Sequence, residues 1–81
     1  MKRDKLVQMR KKLGLTQEQV SSKAGVKRSY YGLVENGVRN PSLENALKIS
    51  AALDSKIEDL FVGEIFFNGR CYDTSQFLNL K

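Results

Sequence analysis

Apolar residues at Leu6, Met9 and Leu13 recur three to four positions apart, with Val7 beside them, a spacing that places one apolar stripe along a helix over residues 4–13. Its charges suit the helix dipole, with Asp4 in the first turn and Arg10, Lys11 and Lys12 near the last. Gly14 reads as the stop. A second helix opens at Thr16, which with Gln19 forms the T-x-x-Q capping-box pattern. Val20 and Ala24 face inward from it, and Gly25 ends it. Only Gly25, Val26 and Lys27 then precede a third helix over residues 28–36, closed by Gly37. So short a connection forces the two helices to cross steeply, and a near-perpendicular pair around a glycine-containing turn is a helix-turn-helix.

Asn40-Pro41 disfavours helix at the residue before proline, so residues 39–42 read as a loop, with Ser42 as N-cap of a fourth helix. Leu43, Ala46, Leu47, Ile49, Ser50 and Leu53 make a wide apolar face on that helix. Ser55 can cap a short fifth helix over residues 56–60, whose Ile57 and Leu60 join Phe61 in the core. The pattern then changes period. Two short runs rich in β-formers flank Asn68-Gly69, a strong hairpin signal, and a two-residue turn pairs Phe67 with Arg70, Phe66 with Cys71 and Ile65 with Tyr72. Phe66 and Cys71 then share one face and Ile65, Phe67 and Tyr72 the other. An isolated hairpin is not stable in water. One face can pack on the helices, while the other face or the open edge meets a second subunit; the alternative is a hairpin packed wholly on its own domain. Residues 73–81 read as a strand extension or a frayed tail.

Eighty-one residues, 41% of them apolar, make one domain with a small single core. No histidine is present, and the lone Cys71 rules out an intrachain disulfide. Cys71 reads as a small packing residue in a reducing compartment. No nucleophile–base pair and no metal-ligand cluster suggests itself, so the expectation is no enzyme, no metal and no cofactor. No apolar run reaches the roughly 20 residues that span a bilayer, and the basic start MKRDK leads into no signal-peptide core. A cytoplasmic protein without membrane contact is expected. Net charge is +5, unevenly spread: residues 1–28 hold nine Lys/Arg against two acids, and residues 29–81 five against seven. That asymmetry points the first third at an anionic partner.

LTQEQVSSKAGVKRSYYGLVENGVRNPSLENALKISAALDSKIEDLF strongly resembles the Cro/repressor-type helix-turn-helix family, also called the XRE family, over about residues 3–61. The motifs that carry the resemblance are L-T-Q at the second helix, Ala-Gly at the turn, Glu-Asn-Gly closing the third, and R-N-P-S-L after it. It implies an all-α, compact five-helix lambda-repressor-like DNA-binding domain over residues 1–62, and the hairpin and tail read from the residue pattern then occupy residues 63–81. It also implies a third helix in the DNA major groove and a homodimer on a palindrome-like operator. Gln17 matches the family position that clamps a backbone phosphate, assisted by the amides of a helix N-terminus. Lys27 stands where many members carry a serine or threonine cap, a departure that gives up a cap worth about 1 kcal/mol and puts a cation near the groove. In the resembling repressors an arginine on the first helix pairs with the acid of the third, which here makes Arg10 and Glu35 a structural ion pair.

The residues of the third helix divide in the same way. At about 100° per residue, Tyr31 and Val34 point at the core, while Arg28, Ser29, Gly32, Leu33 and Asn36 spread over the opposite side. Arg28 suits a guanine, whose O6 and N7 accept a guanidinium fork, or else a phosphate. Ser29 suits a base edge or a phosphate, and Leu33 a thymine methyl. Gly32 leaves room for close approach, or simply reflects an unconstrained exposed position. Tyr30, at the boundary, suits a phosphate or a base. Thr16 is a phosphate candidate or a cap alone; Arg39 and Asn40 are phosphate candidates, with turn chemistry the alternative for Asn40. Ile65, Phe66, Phe67 and Tyr72 are the dimerisation candidates. The function expected is a sequence-specific double-stranded DNA-binding transcriptional regulator, a repressor acting as a homodimer. The alternative is an antitoxin whose C-terminal segment grips a toxin protein while the domain autoregulates its operon.

Overall fold

A computed structural model describes residues 2–73. The tail expected as a strand extension or frayed end lies, beyond residue 73, outside the described residues. The chain forms α1 (Asp4–Lys12), α2 (Gln17–Ala24), α3 (Arg28–Glu35), α4 (Leu43–Ala52) and α5 (Ile57–Leu60), then the hairpin strands β1 (Glu64–Phe67) and β2 (Arg70–Asp73).

The signals that delimit the helices act as local chemistry dictates. Thr16 Oγ1 accepts from the Gln19 amide at 3.1 Å while Gln19 Oε1 accepts from the Thr16 amide at 2.8 Å, a closed capping box that satisfies two amides of the first turn of α2. Gly25 then takes φ 75°, the left-handed conformation that costs glycine no side-chain clash, and swings the chain into α3. Ser42 caps α4 through the Asn45 amide. Ser55 does not cap α5; its hydroxyl turns back to the Leu53 carbonyl, and Lys56 occupies the N-cap without a side-chain bond. A serine this close to a helix end satisfies itself locally, which competes with capping.

Leu6, Val20, Ala24, Tyr31, Val34, Ala46, Ile49, Leu53, Leu60 and Phe61 build the core, with Met9, Leu15, Val26, Ile57 and Phe66 packed around it. Two apolar positions depart from the expected stripes. Leu13 is exposed, because α1 ends at Lys12 and the chain turns away at Gly14. Leu43 and Leu47 are also exposed: the expected face was wider than the surface α4 buries, and burial falls on Ala46, Ile49, Ser50 and Leu53. The buried Ser50 hydroxyl is satisfied by the Ala46 carbonyl one turn back.

The strands pair antiparallel in the register read from the sequence, Phe66 opposite Cys71 and Ile65 opposite Tyr72. Asn68 at φ 54° and Gly69 at φ 76° both take the left-handed region that a two-residue turn of this hand requires. Phe66 turns inward and sets its ring edge-on against Phe61, with centroids 6.0 Å apart, while Cys71 beside it is buried. The Gly69 carbonyl accepts from the Leu43 amide, one of the orphan donors at the start of α4. The hairpin therefore packs on the helical domain through one face, leaving Ile65 and Phe67 exposed on the other.

Candidate nucleic-acid interface

α3 has one half of its circumference in the core and the other open. Tyr31, Val34 and Glu35 are buried; Arg28, Ser29 and Leu33 are exposed. Lys27 occupies the N-cap with no side-chain bond to the helix, so its ammonium and the Arg28 guanidinium stand exposed together at the positive end of the helix dipole. Like charges at that end are unfavourable for an isolated helix and suited to an anion.

Glu35 organises the seam between these faces. Its carboxylate takes Arg10 Nε at 2.5 Å on one oxygen, and Arg10 Nη2 at 3.3 Å and Gln17 Nε2 at 3.0 Å on the other. Burial pushes the Glu35 carboxyl up, but Arg10, the adjacent Tyr31 hydroxyl and Gln17 together hold it below the usual carboxylate range. The Tyr31 hydroxyl is buried beside this cluster without a well-aligned hydrogen bond among the described residues, and burial raises it far above an ordinary phenol. The geometry ties α1, α2 and α3 into one rigid unit. It also limits Gln17: one hydrogen of its amide is spent on Glu35, and its amide nitrogen keeps one further hydrogen to donate.

Gly32 faces Gln17. A methyl group built there would meet Gln17 Oε1 at 3.5 Å, an ordinary van der Waals contact. The bare backbone of Gly32 thus lies against the α2 side of the surface.

Tyr30 is half-buried and its hydroxyl accepts from Asn45 Nδ2 of α4 at 3.1 Å, while the Arg39 guanidinium lies over its ring at 6.0 Å. Arg39 is exposed beside α3; Asn40 turns its side-chain oxygen inward, where Arg3 Nη2 donates to it at 2.9 Å. Thr16 is occupied by its capping box. The surface therefore brings together Lys27, Arg28, Ser29, Leu33, Tyr30 and Arg39 around α3, with Gln17 at the α2 edge.

Sequence reasoning missed Arg3. One of the nine cations of the first third, Arg3 is buried and pairs with Glu64 at 2.6 Å, while Arg10 makes the expected pair with Glu35. Two of the nine cations there thus neutralise internal acids. No local pattern announces a partner sixty-one positions away.

An open recognition-helix face beside a tightly capped preceding helix defines the DNA-binding helix-turn-helix class. The helix-turn-helix family model matches residues 6–60, and the chain belongs to that family, in its Cro/repressor-type branch. An uncharacterized HTH-type transcriptional regulator of Archaeoglobus fulgidus is 42% identical over 60 residues, covering 74% of this chain and 86% of its own. Among solved structures, the restriction-modification controller protein C.AhdI from Aeromonas hydrophila is 45% identical with a TM-score of 0.67, covering 69% of this chain and 85% of its own. The N-terminal DNA-binding domain of SinR from Bacillus subtilis is 34% identical with a TM-score of 0.66, covering 70% and 84%. The chain is a DNA-binding transcriptional regulator, not an enzyme. No helix among the described residues is long and apolar enough to cross a membrane.

Proposed function

We propose that the protein is a sequence-specific repressor that binds double-stranded DNA as a homodimer, in the cytoplasm, on a palindrome-like operator. The observation that carries this reading is the exposed half of α3, where Lys27, Arg28, Ser29 and Leu33 stand clear of a helix whose other half is locked in the core. A helix held that rigidly can present side chains to base edges at fixed spacing, the condition for direct readout. Arg28 and Ser29 with Leu33 are the base-reading set, and Gly32 allows close approach. Lys27, Tyr30, Arg39 and the second amide hydrogen of Gln17 are the phosphate contacts, with Thr16 and Asn40 at the margins. The likeness to the SinR DNA-binding domain supports the same assignment.

Selection of binding sites from random DNA, repeated over a salt series, tests this. The expected result is a two-fold motif with half-sites about 34 Å apart and an affinity that falls steeply with salt as phosphate contacts are lost. No enriched motif, or a salt slope near zero, overturns it.

Ile65, Phe67 and Tyr72 form the second-subunit face, supported by the exposed apolar pair Ile65 and Phe67. Phe66 is committed to its own core. Sedimentation of an Ile65→Ser/Phe67→Ser variant should show a weakened dimer; an unchanged dimer moves the interface elsewhere. The same exposed apolar pair suits an antitoxin reading, which co-purification of a second small protein from the native host would favour.

A further inference from the structure

Arg3 precedes α1, yet its side chain reaches the far end of α3. Its guanidinium has five N–H donors, and five bonds occupy them. Nη1 donates to the Val34 carbonyl at 2.6 Å and the Arg39 carbonyl at 3.1 Å; Nη2 donates to Asn40 Oδ1 at 2.9 Å and Glu64 Oε1 at 2.6 Å; Nε donates to Glu64 Oε2 at 3.0 Å. The Arg3 amide donates to the Glu35 carbonyl at 2.8 Å. The guanidinium also lies over the Phe61 ring at 5.5 Å.

Val34 and Glu35 are the last two residues of α3, whose final carbonyls have no partner within the helix. Arg3 bonds both carbonyls, sharing that of Val34 with the Gly37 amide at 3.2 Å, and places a positive charge at the negative end of the dipole. Arg39 and Asn40 belong to the loop that leaves α3. Their inward groups are held by Arg3, which leaves the Arg39 guanidinium turned outward over Tyr30. Glu64, from the first strand of the hairpin, aligns Arg3 through a two-toothed ion pair and is itself held by the Cys71 thiol at 2.9 Å. A lysine, with one nitrogen, cannot span these acceptors.

We propose that Arg3 and Glu64 are positioning residues for DNA binding: together they fix the C-terminal end of α3 and the loop carrying Arg39, so the hairpin is a working part of the DNA-binding surface. The inference rests on the function proposed above. Arg39 sits at the rim of that surface, and a cation contributes most to phosphate binding where its backbone holds it in register, since less ordering entropy is lost on contact.

The test compares Glu64→Gln, Arg39→Ala and the double variant with the wild type on the selected operator, at a temperature where each is fully folded. Glu64→Gln should lower affinity several-fold and make the salt slope shallower by about one, as loss of one phosphate contact would. Arg39→Ala should do the same, and the double variant should be no worse than either single one. Wild-type affinity and slope in Glu64→Gln, or additive losses in the double variant, would overturn the proposal; a merely structural role for Glu64 leaves the slope unchanged. Amide exchange without DNA separates this from failure of the DNA-binding reading. The Val38 and Arg39 amides, both bonded to the Leu33 carbonyl, should exchange several-fold faster in Glu64→Gln even if no operator emerges, and unchanged exchange there counts against the coupling. If Glu64→Gln does not fold, Arg3→Lys, which keeps the charge and loses the fork, is read in its place with the same expected outcomes.

Discussion

Burial drives the Glu35 carboxyl toward neutrality, and the bond and charge of Arg10, with the adjacent Tyr31 hydroxyl and the Gln17 amide, outweigh that drive. Its folded pKa lies below that of an unfolded glutamate, which titrates at about 4.3. The resulting stabilisation is complete above that pH and is lost as pH falls through the lowered folded value. Urea unfolding as a function of pH should therefore show an acid limb that Glu35→Gln flattens. Glu35→Ala leaves Arg10 without its acid and should cost about 3–5 kcal/mol, the range for breaking a buried pair; a variant as stable as wild type would remove the pair from the account. Cys71 lies at the opposite extreme. Burial, followed by the Glu64 carboxylate, pushes its thiol up to about 12. Thiol-specific labelling of the native protein at neutral pH should be slow and should track unfolding. On the recognition face, Arg28→Ala should cost about 1–3 kcal/mol of binding and relax preference at one base position, whereas Lys27→Ala should weaken all sequences alike. Quantitative binding to a panel of operator variants distinguishes the two.

α3 carries a glycine in its interior, and the structure explains what that glycine meets. A methyl group at Gly32 contacts the side chain of Gln17 at an ordinary distance and faces no backbone. Gly32→Ala should accordingly raise stability, by up to about 1 kcal/mol from helix propensity, as a higher thermal midpoint. A fall would show that Gln17 cannot yield. The adjacent tyrosines have separate duties within the same helix: Tyr31 fills the core, and Tyr30 bridges to Asn45 on α4 while its ring supports Arg39. The spans of α1 to α4 followed to within a residue from short-range signals, because caps, left-handed glycines and apolar spacing act within a turn, whereas α5 starts without the Ser55 cap. Which flank of α4 would be covered did not follow, since Leu43 and Leu47 match the helical period as well as the buried residues do.

Across the molecule, the hairpin and the helical domain share one set of contacts. Removing the chain after Val62 deletes Glu64, Phe66 and Cys71 and leaves Arg3 buried without its acid. The truncated protein should unfold at markedly lower urea concentration than the full chain, and unchanged stability would show the hairpin to be dispensable. For that reason point changes at Ile65 and Phe67 are a cleaner probe of dimerisation than truncation. The excess of basic charge also looks different in three dimensions: Arg3 and Arg10 belong to internal pairs, so the outward positive field comes from the remaining exposed cations, Lys27, Arg28 and Arg39 among them. The amino-acid order alone was sufficient for the five helices, the Asn68-Gly69 turn, the strand register and the division of α3 into two faces, because each depends on interactions a few residues long. Only tertiary packing decided that Arg3 leaves the surface, that Gln17 is tethered to Glu35, that Asn40 turns inward and that Phe66 closes on Phe61. Those outcomes depend on which groups meet across tens of residues, where burial makes an unpaired charge or polar atom costly and the nearest complementary partner takes it.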